Sequence, residues 1–415
     1  MTRYRSGEAL VFGVATLLVL LHALEDAFLH RGPGVGMGQH ALAAAVSIAV
    51  AVAGALAFPS LRPGLRAGIA FAFGGLAIVN GALHIRHMAE HGVVAGHVSG
   101  AVAAAAGVVL VALAVAIPLR HRGEGAATAR RRWANRVVAV PVAFVAVLFV
   151  LGPIGVGIVD SHKFRGPVGA PPAGYEPVGF EAGDGVDLAG WYRPTRNGAT
   201  VLVLHGGGSD RAGVRAHAEL LARHGYGVLL YDARGGGESE GSQNSYGWGW
   251  EQDVAGALDF LKQRPEVDPR QIGAFGLSTG ADVLLDVAAG RTDLSAVVGD
   301  GAAAGSFEDW HRLRGADLGL PPGWIVFKTI EVLTGSSPGP ALEDRVARIA
   351  SPVLLISAGT DAERDFNVLY EAAAPGPVEH WNLPDAHHTD AIHDHADEYE
   401  RRVAAFFDGA LLRGR

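Results

Sequence analysis

Four short stretches carry residue types that could share one reaction. Gly276-Leu277-Ser278-Thr279-Gly280 fits the pattern G-x-S-x-G, where flanking glycines let a strand reverse into a helix and push a serine hydroxyl into the open. His205-Gly206-Gly207-Gly208 follows the apolar run TVLVL. Such a turn lets main-chain N–H groups approach a substrate oxygen closely. Near the C-terminus, LPDAHHTDAIHDHAD offers His387, His388, His393 and His395. A serine hydroxyl is a poor nucleophile until a base of this kind takes its proton. The acid that orients the base should follow the preceding strand, where SAGTDAERD presents Asp361 with Asp365 nearby, and Asp300, in the earlier run AVVGDG, is an alternative. Together these residues predict acyl transfer. Ser278 attacks a carbonyl, His388 moves the proton, Asp361 orients His388, and the amides of Gly207 and Thr279 hold the oxyanion.

These residues need a scaffold, and the pattern after about residue 179 supplies one. Short Val/Leu/Ile runs (TVLVLHG, YGVLLYD, QIGAFGLS, AVVGDG, PVLLIS) alternate with stretches of helical length such as WEQDVAGALDFLKQR. That alternation predicts an α/β domain with a doubly wound, mostly parallel sheet. Near-continuous apolar strands fit a sheet covered on both faces. FEAGDGVDLAGWYRP reads as a hairpin around Gly183-Asp184-Gly185. In YDARGGGESEG, Asp232 and Arg234 are expected to fix the turn after a strand. No Gly-Lys-Ser/Thr follows, so the stretch is not a phosphate-binding loop. The stretch 303–345, with Trp310, Trp324 and Phe327, has the length of a small lid.

Four stretches, LHGGGSD, YDARGGGESEG, GLSTGA and LPDAHHTD, carry a family resemblance. Residues 179–415 resemble α/β-hydrolases of the dienelactone-hydrolase and prolyl-oligopeptidase-like group. In such relatives the last stretch often reads P-G-A-G-H-T, which aligns its histidine with His388 and puts His387 at the usual glycine position. Their acid turn is often G-x-x-D, one residue longer than Gly359-Thr360-Asp361. The whole chain also resembles bacterial membrane-anchored α/β-hydrolases with an N-terminal multi-span region. The resemblance implies a serine hydrolase acting on an ester, thioester or amide, with a small-molecule or lipid-like acyl substrate and no metal or organic cofactor.

Composition bears on the other half. Of 415 residues 49% are hydrophobic and only 18% charged, and the mean hydropathy is positive, which points to membrane segments. Apolar runs at 8–29, 41–58, 67–85, 98–118 and 137–159 are each roughly 18 to 23 residues long, enough to cross a hydrocarbon core. The expected organisation is an α-helical transmembrane bundle of about five spans over 1–159, a Pro/Gly-rich linker over 160–178, and the hydrolase domain over 179–415. Arg3, Arg5, Arg62, Arg66, Arg120, Arg122, Arg130, Arg131, Arg132 and Arg136 fall in alternate loops, which assigns the N-terminus to the cytoplasm and the hydrolase domain to the outside. The net charge of −8 without a basic stripe gives no hint of nucleic-acid binding, so no nucleic-acid partner is expected, and the absence of cysteine excludes disulfides and thiol chemistry.

Polar residues punctuate the spans. His22, Glu25 and Asp26 share one helical face, and His84, His87 and His91 recur at helical spacing before His97. A haem or metal site is one reading; hydrated side chains near the outer interface is the other, and the one preferred. Two alternatives to hydrolysis stay open from sequence. One is an acyltransferase on the same triad, and the other is a non-catalytic ligand- or haem-binding sensor.

Overall fold

The computed structural model describes residues 2–29, 37–91, 95–120, 149–150, 152–161, 164–242, 244–314 and 321–412. The chain forms two compact units, one built from residues up to Gly155 and the other running from Val156 to Arg415.

The first unit contains α1 (Thr2–Leu29), α2 (Met37–Ala57), α3 (Pro63–His91) and α4 (Ala95–Arg120). Ala- and Leu-rich stretches favour these helices, and Pro63 opens α3 where its missing N–H costs nothing. Among the described residues, Gly7–Glu25 and Ser99–Pro118 are long and apolar enough to cross a membrane, while Ile48–Ser60 and Pro63–Ile78 are shorter apolar stretches. This is fewer than the five spans expected from the runs. Most of the fifth run, 137–159, lies outside the described residues, and its end forms α5 (Gly152–Asp160). Helices α3 and α4 approach closely at Gly74 and Gly107, where a Cβ on either would stand 2.7 Å from the other's carbonyl oxygen. Phe12 stacks on Phe58 at 4.1 Å inside this unit. Arg66, assigned to a loop by its charge, is instead buried in α3 against Glu8 at 2.6 Å. His22 bonds Ser99 at 2.9 Å. The side chains of Asp26, His84, His87, His91 and His97 lie outside the described ones.

The second unit is built on an eight-stranded sheet. Its strands are β1 (Glu176–Glu181), β2 (Asp187–Arg193), β3 (Thr200–Leu204), β4 (Gly227–Tyr231), β5 (Ile272–Leu277), β6 (Ala296–Asp300), β7 (Val353–Ala358) and β8 (Val378–Leu383). They lie in the order β1-β2-β4-β3-β5-β6-β7-β8. The hairpin β1–β2 turns at Gly185, whose N–H donates to Ala182 O at 2.9 Å. Strand β2 is antiparallel to β1 and β4, and every later pairing is parallel. Residues of β3, β4, β5, β6 and β7 are buried throughout, as strands covered on both faces must be.

The covering helices are α6 (Arg215–Arg223), α7 (Trp250–Lys262), α8 (Thr279–Ala288), α9 (Phe307–Arg314), α10 (Pro321–Thr334), α11 (Leu342–Val346), α12 (Asp361–Ala373) and α13 (Ala396–Phe407). They bury one apolar core on each face of the sheet, one around Trp250, Leu258 and Leu284, the other around Leu221, Phe275 and Phe407. All parallel strands present their C-terminal ends to one edge. The turns after β3, β5, β6, β7 and β8 therefore converge there.

Candidate active site

Ser278 sits between β5 and α8 with φ 52° and ψ −122°. With Thr389, it is one of two described non-glycine residues at positive φ. Such a conformation costs on the order of 1–3 kcal/mol and persists only where the surroundings fix it. Here they do. Ser278 N donates to Asp300 O at 2.7 Å, and Ala281 N donates to Ser278 O at 2.7 Å. A Cβ on Gly276 would stand 2.4 Å from Gly280 O, and one on Gly280 would stand 2.6 Å from both Leu204 O and His205 O. The two glycines of the motif are thus demanded by the sharp reversal.

His388 lies in the segment after β8. Its Nε2 is 3.1 Å from Ser278 Oγ, and its Nδ1 is 2.6 Å from Glu363 Oε2. With Nδ1–H donating to the carboxylate, Nε2 is left to accept from the serine hydroxyl. Partial burial alone would push the imidazole pKa down. The Glu363 hydrogen bond and charge, helped by Asp300 and Asp282, outweigh burial and hold it above the usual histidine value.

The carboxylate on His388 belongs to Glu363, not to Asp361. Thr360 caps α12, its Oγ1 accepting from Glu363 N at 3.2 Å. Asp361 is then the first helical residue, and its side chain is 86% exposed against Arg364 at 2.8 Å. Glu363, two residues further round the turn, points inward instead. Its Oε1 accepts from Ala358 N at 2.7 Å, its Oε2 meets His388, and its side chain is buried. The pattern Thr360-x-x-Glu363, a capping signature, was the available sequence signal. Asp365 pairs with Arg364 at the surface. Asp300 is buried and accepts from Tyr399 Oη at 2.5 Å. Burial pushes its carboxyl up to about 7 despite that hydrogen bond.

The other histidines of the C-terminal stretch pair with carboxylates. His387 bonds Asp394 at 3.1 Å, His395 pairs with Asp385 at 3.3 Å, and His393 lies 3.8 Å from Asp390. Ligand atoms of His387, Asp390 and Asp394 come within 4.8 Å of one another at the surface, the described group with spacing suited to a metal ion.

Gly207 and Thr279 meet beside the elbow. A Cβ on Gly207 would stand 2.8 Å from Thr279 Oγ1, and one on the preceding Gly206 would stand 3.2 Å from Ser278 Cβ. Among the described residues neither Gly207 N nor Thr279 N donates a turn or loop backbone hydrogen bond. Thr279 opens α8, so its N–H is among those that a helix leaves free. Buried His205 holds this loop. Its Nδ1–H donates to Gly206 O at 2.7 Å, and its Nε2 accepts from Ala233 N at 3.0 Å. Burial pushes its pKa down, against the Gly206 bond, and keeps it neutral. Asp232 is buried and accepts from Arg211 N and Glu238 N, each at 2.8 Å, and from the Arg211 guanidinium. Arg234 clamps Asp184 and Asp253, so both residues fix the turn after β4.

A cavity of about 250 Å³ lies beside α8, lined by Tyr246, Trp248, Asp282, Asp309 and Arg345 among others but not by Ser278, His388 or Gly207. Asp282 lies one turn beyond Ser278. Burial pushes its carboxyl up to about 8, although Ala303 N donates to it at 2.8 Å. The inserted helices pack beside this cavity, with Phe327 and Ile330 of α10 on Trp248 and Trp310 of α9 on Phe366.

Several known proteins are similar to this chain. A family model described as X-Pro dipeptidyl-peptidase (S15 family) matches residues 184–390. The Mycobacterium tuberculosis protein MT2364, itself uncharacterized, is 31% identical over 275 residues, covering 62% of this chain and 90% of that protein. The uncharacterized protein YfhR of Salmonella typhimurium is 29% identical over 273 residues, covering 61% and 84%. The solved structure of the Pyrococcus furiosus esterase Pf2001 is 26% identical with a TM-score of 0.48, covering 60% of this chain and 99% of that one.

Proposed function

The chain belongs to the α/β-hydrolase superfamily, in one family with the mycobacterial protein MT2364, and from that premise we propose that it is a membrane-anchored serine hydrolase. One observation carries the reading. Glu363, His388 and Ser278 form a continuous line of contacts at 2.6 and 3.1 Å, ending on a strained elbow. In the proposed reaction His388 Nε2 takes the proton of Ser278 Oγ as that oxygen attacks the carbonyl carbon. The amides of Gly207 and Thr279 donate to the oxyanion, where fixed dipoles act without reorganising. His388 then passes its proton to the departing oxygen, leaving an acyl group on Ser278. Water, losing a proton to His388, attacks the acyl carbon, and His388 returns that proton to Ser278 Oγ as the acid leaves. Glu363 stabilises the imidazolium that forms twice in each cycle.

Carboxylic esters are the proposed substrates, since nothing in the sequence marks a peptide-binding module. A second reading, cleavage after an X-Pro pair, draws on the family-model description. Hydrolysis of p-nitrophenyl esters set against X-Pro p-nitroanilides separates the two. Ester turnover that disappears in Ser278→Ala supports the first; turnover of anilides alone overturns it.

The anchoring is proposed to be multi-pass, with the N-terminus cytoplasmic and the hydrolase unit outside. The outward side chains of α1, α2 and α4 support this, for Leu10, Leu17, Leu21, Leu56, Val108 and Val115 are all exposed. So large an apolar surface is unfavourable in water and ordinary against lipid.

A further inference from the structure

The end of α5 lies inside the second unit and packs within it at two places, the second of which leads towards Ser278. First, Gly157 of α5 packs backbone-close on α10, since a Cβ there would stand 2.6 Å from Thr329 Cβ and 2.9 Å from Val326 O. Second, Asp160 O accepts from Ser245 N at 3.0 Å, and Ser245 O accepts from Thr279 Oγ1 at 2.8 Å. Thr279 directly follows the nucleophile. Two hydrogen bonds therefore separate the serine's neighbour from Asp160, the last residue of α5 and the first beyond the run.

The same helix, α10, is apolar on both sides. Phe327 and Ile330 face the interior. Trp324, Leu333 and Val332 face outward at 52%, 55% and 80% exposure, and Val156 and Ile158 flank the Gly157 contact half-exposed. Lys328 and Glu331 pair along the outer face. An exposed apolar stripe with a tryptophan and a long basic side chain suits the boundary between headgroups and acyl chains. Depth agrees with composition. Gly157 lies two residues from the end of the run, about 3 Å along a helix, so anything packed on it stands at the level where the chain leaves the bilayer.

We propose that the outer face of α10, with the end of α5, rests on the bilayer surface, and that Ser278 draws its acyl esters from the membrane rather than from bulk water. The inference rests on the reading of residues 137–159 as a span.

The chain has no cysteine, so single cysteines can carry a fluorophore unambiguously. The test uses the full-length protein in phosphatidylcholine vesicles containing doxyl-labelled lipid, with labels at Ile158→Cys, Val332→Cys and Arg270→Cys. Arg270 is a surface residue just before β5, at the end of that strand away from Ser278. Lipid-borne quenching at Ile158 and Val332, with none at Arg270, is the expected result. Quenching at Ile158 but not at Val332 would overturn the docking while leaving the span intact. That outcome covers both solvent and a protein surface over α10, and aqueous iodide tells them apart. Absence of quenching at Ile158 and Val332 together would remove the span and the inference with it. Quenching at Val332 alone would overturn the inference as stated, since α10 would then meet lipid without the end of α5. As a second readout, Val332→Glu with Leu333→Glu should strongly lower hydrolysis of a long-chain ester carried in vesicles while leaving a soluble short-chain ester unaffected. Equal losses on both esters would contradict delivery from the bilayer.

Discussion

Glu363 Oε2 and His388 Nδ1 stand 2.6 Å apart, joining a helix that follows β7 to the segment that follows β8. The contact singles out one carboxylate from several nearby. Asp361 and Asp365 are spent on Arg364, and Asp300 on Tyr399.

Glu363→Gln is therefore expected to lower kcat for ester hydrolysis by roughly 10²- to 10⁴-fold, because the amide no longer stabilises the imidazolium. Asp361→Asn, at an exposed position, should leave kcat within about twofold of wild type. Steady-state kinetics on one ester decides the matter, and the reverse order of effects would restore Asp361.

The pH profile follows from the same contact. Glu363 favours the charged imidazole, whereas the reaction needs the neutral one, so the base becomes available only above a pKa that exceeds the usual 6.5. Activity should rise with pH along an acid limb whose midpoint lies above 6.5. In Glu363→Gln the burial that opposes charging is left to act, and the limb should move to lower pH. A limb at unchanged pH in the variant would contradict the assignment.

The elbow makes a prediction about stability. A methyl group at Gly280 would meet two carbonyl oxygens at 2.6 Å, and neither belongs to a flexible side chain. Gly280→Ala should cost on the order of 2–5 kcal/mol of folding stability, read as a lowered melting temperature of the isolated protein. A melting temperature within a degree or two of wild type would show that the turn can open.

Asp300 predicts a pH-dependent term. The fold raises its carboxyl from 3.8 to about 7, so the protonated form is the one favoured. Its contribution is complete below pH 3.8 and is lost as pH rises through about 7. Asp300→Asn, neutral at every pH and still able to accept from Tyr399, should therefore gain on wild type between pH 5 and 8, by an amount on the order of 2–4 kcal/mol. Equal slopes of melting temperature against pH would contradict a buried titrating acid.

Much of the site was legible because it depends on local sequence. The elbow needs glycines at Gly276 and Gly280 whatever lies around it, and the alternation of apolar runs with helical stretches already implied a parallel sheet. His388 was readable for the same reason, being the histidine of its stretch that follows the family pattern. The acid was not, because its identity depends on which side of a helix cap faces inward. Thr360 as cap turns Asp361 out and Glu363 in, a difference of little more than half a turn. Strand order was also hidden, since β3 pairing with both β4 and β5 is set by contacts across the sheet rather than by neighbours in the chain. In the first unit, apolar composition was plain. Arg66 was misplaced because its charge is matched by Glu8, a partner 58 residues away.

Whether Ser278 is an activated nucleophile is decided by fluorophosphonate labelling of the purified full-length protein, with mass spectrometry of the modified peptide. The adduct should fall on Ser278 in wild type and vanish in Ser278→Ala, with Glu363→Gln labelling slowly at the same residue. An adduct on another residue, or equal labelling of wild type and Ser278→Ala, would contradict Ser278 as the activated nucleophile.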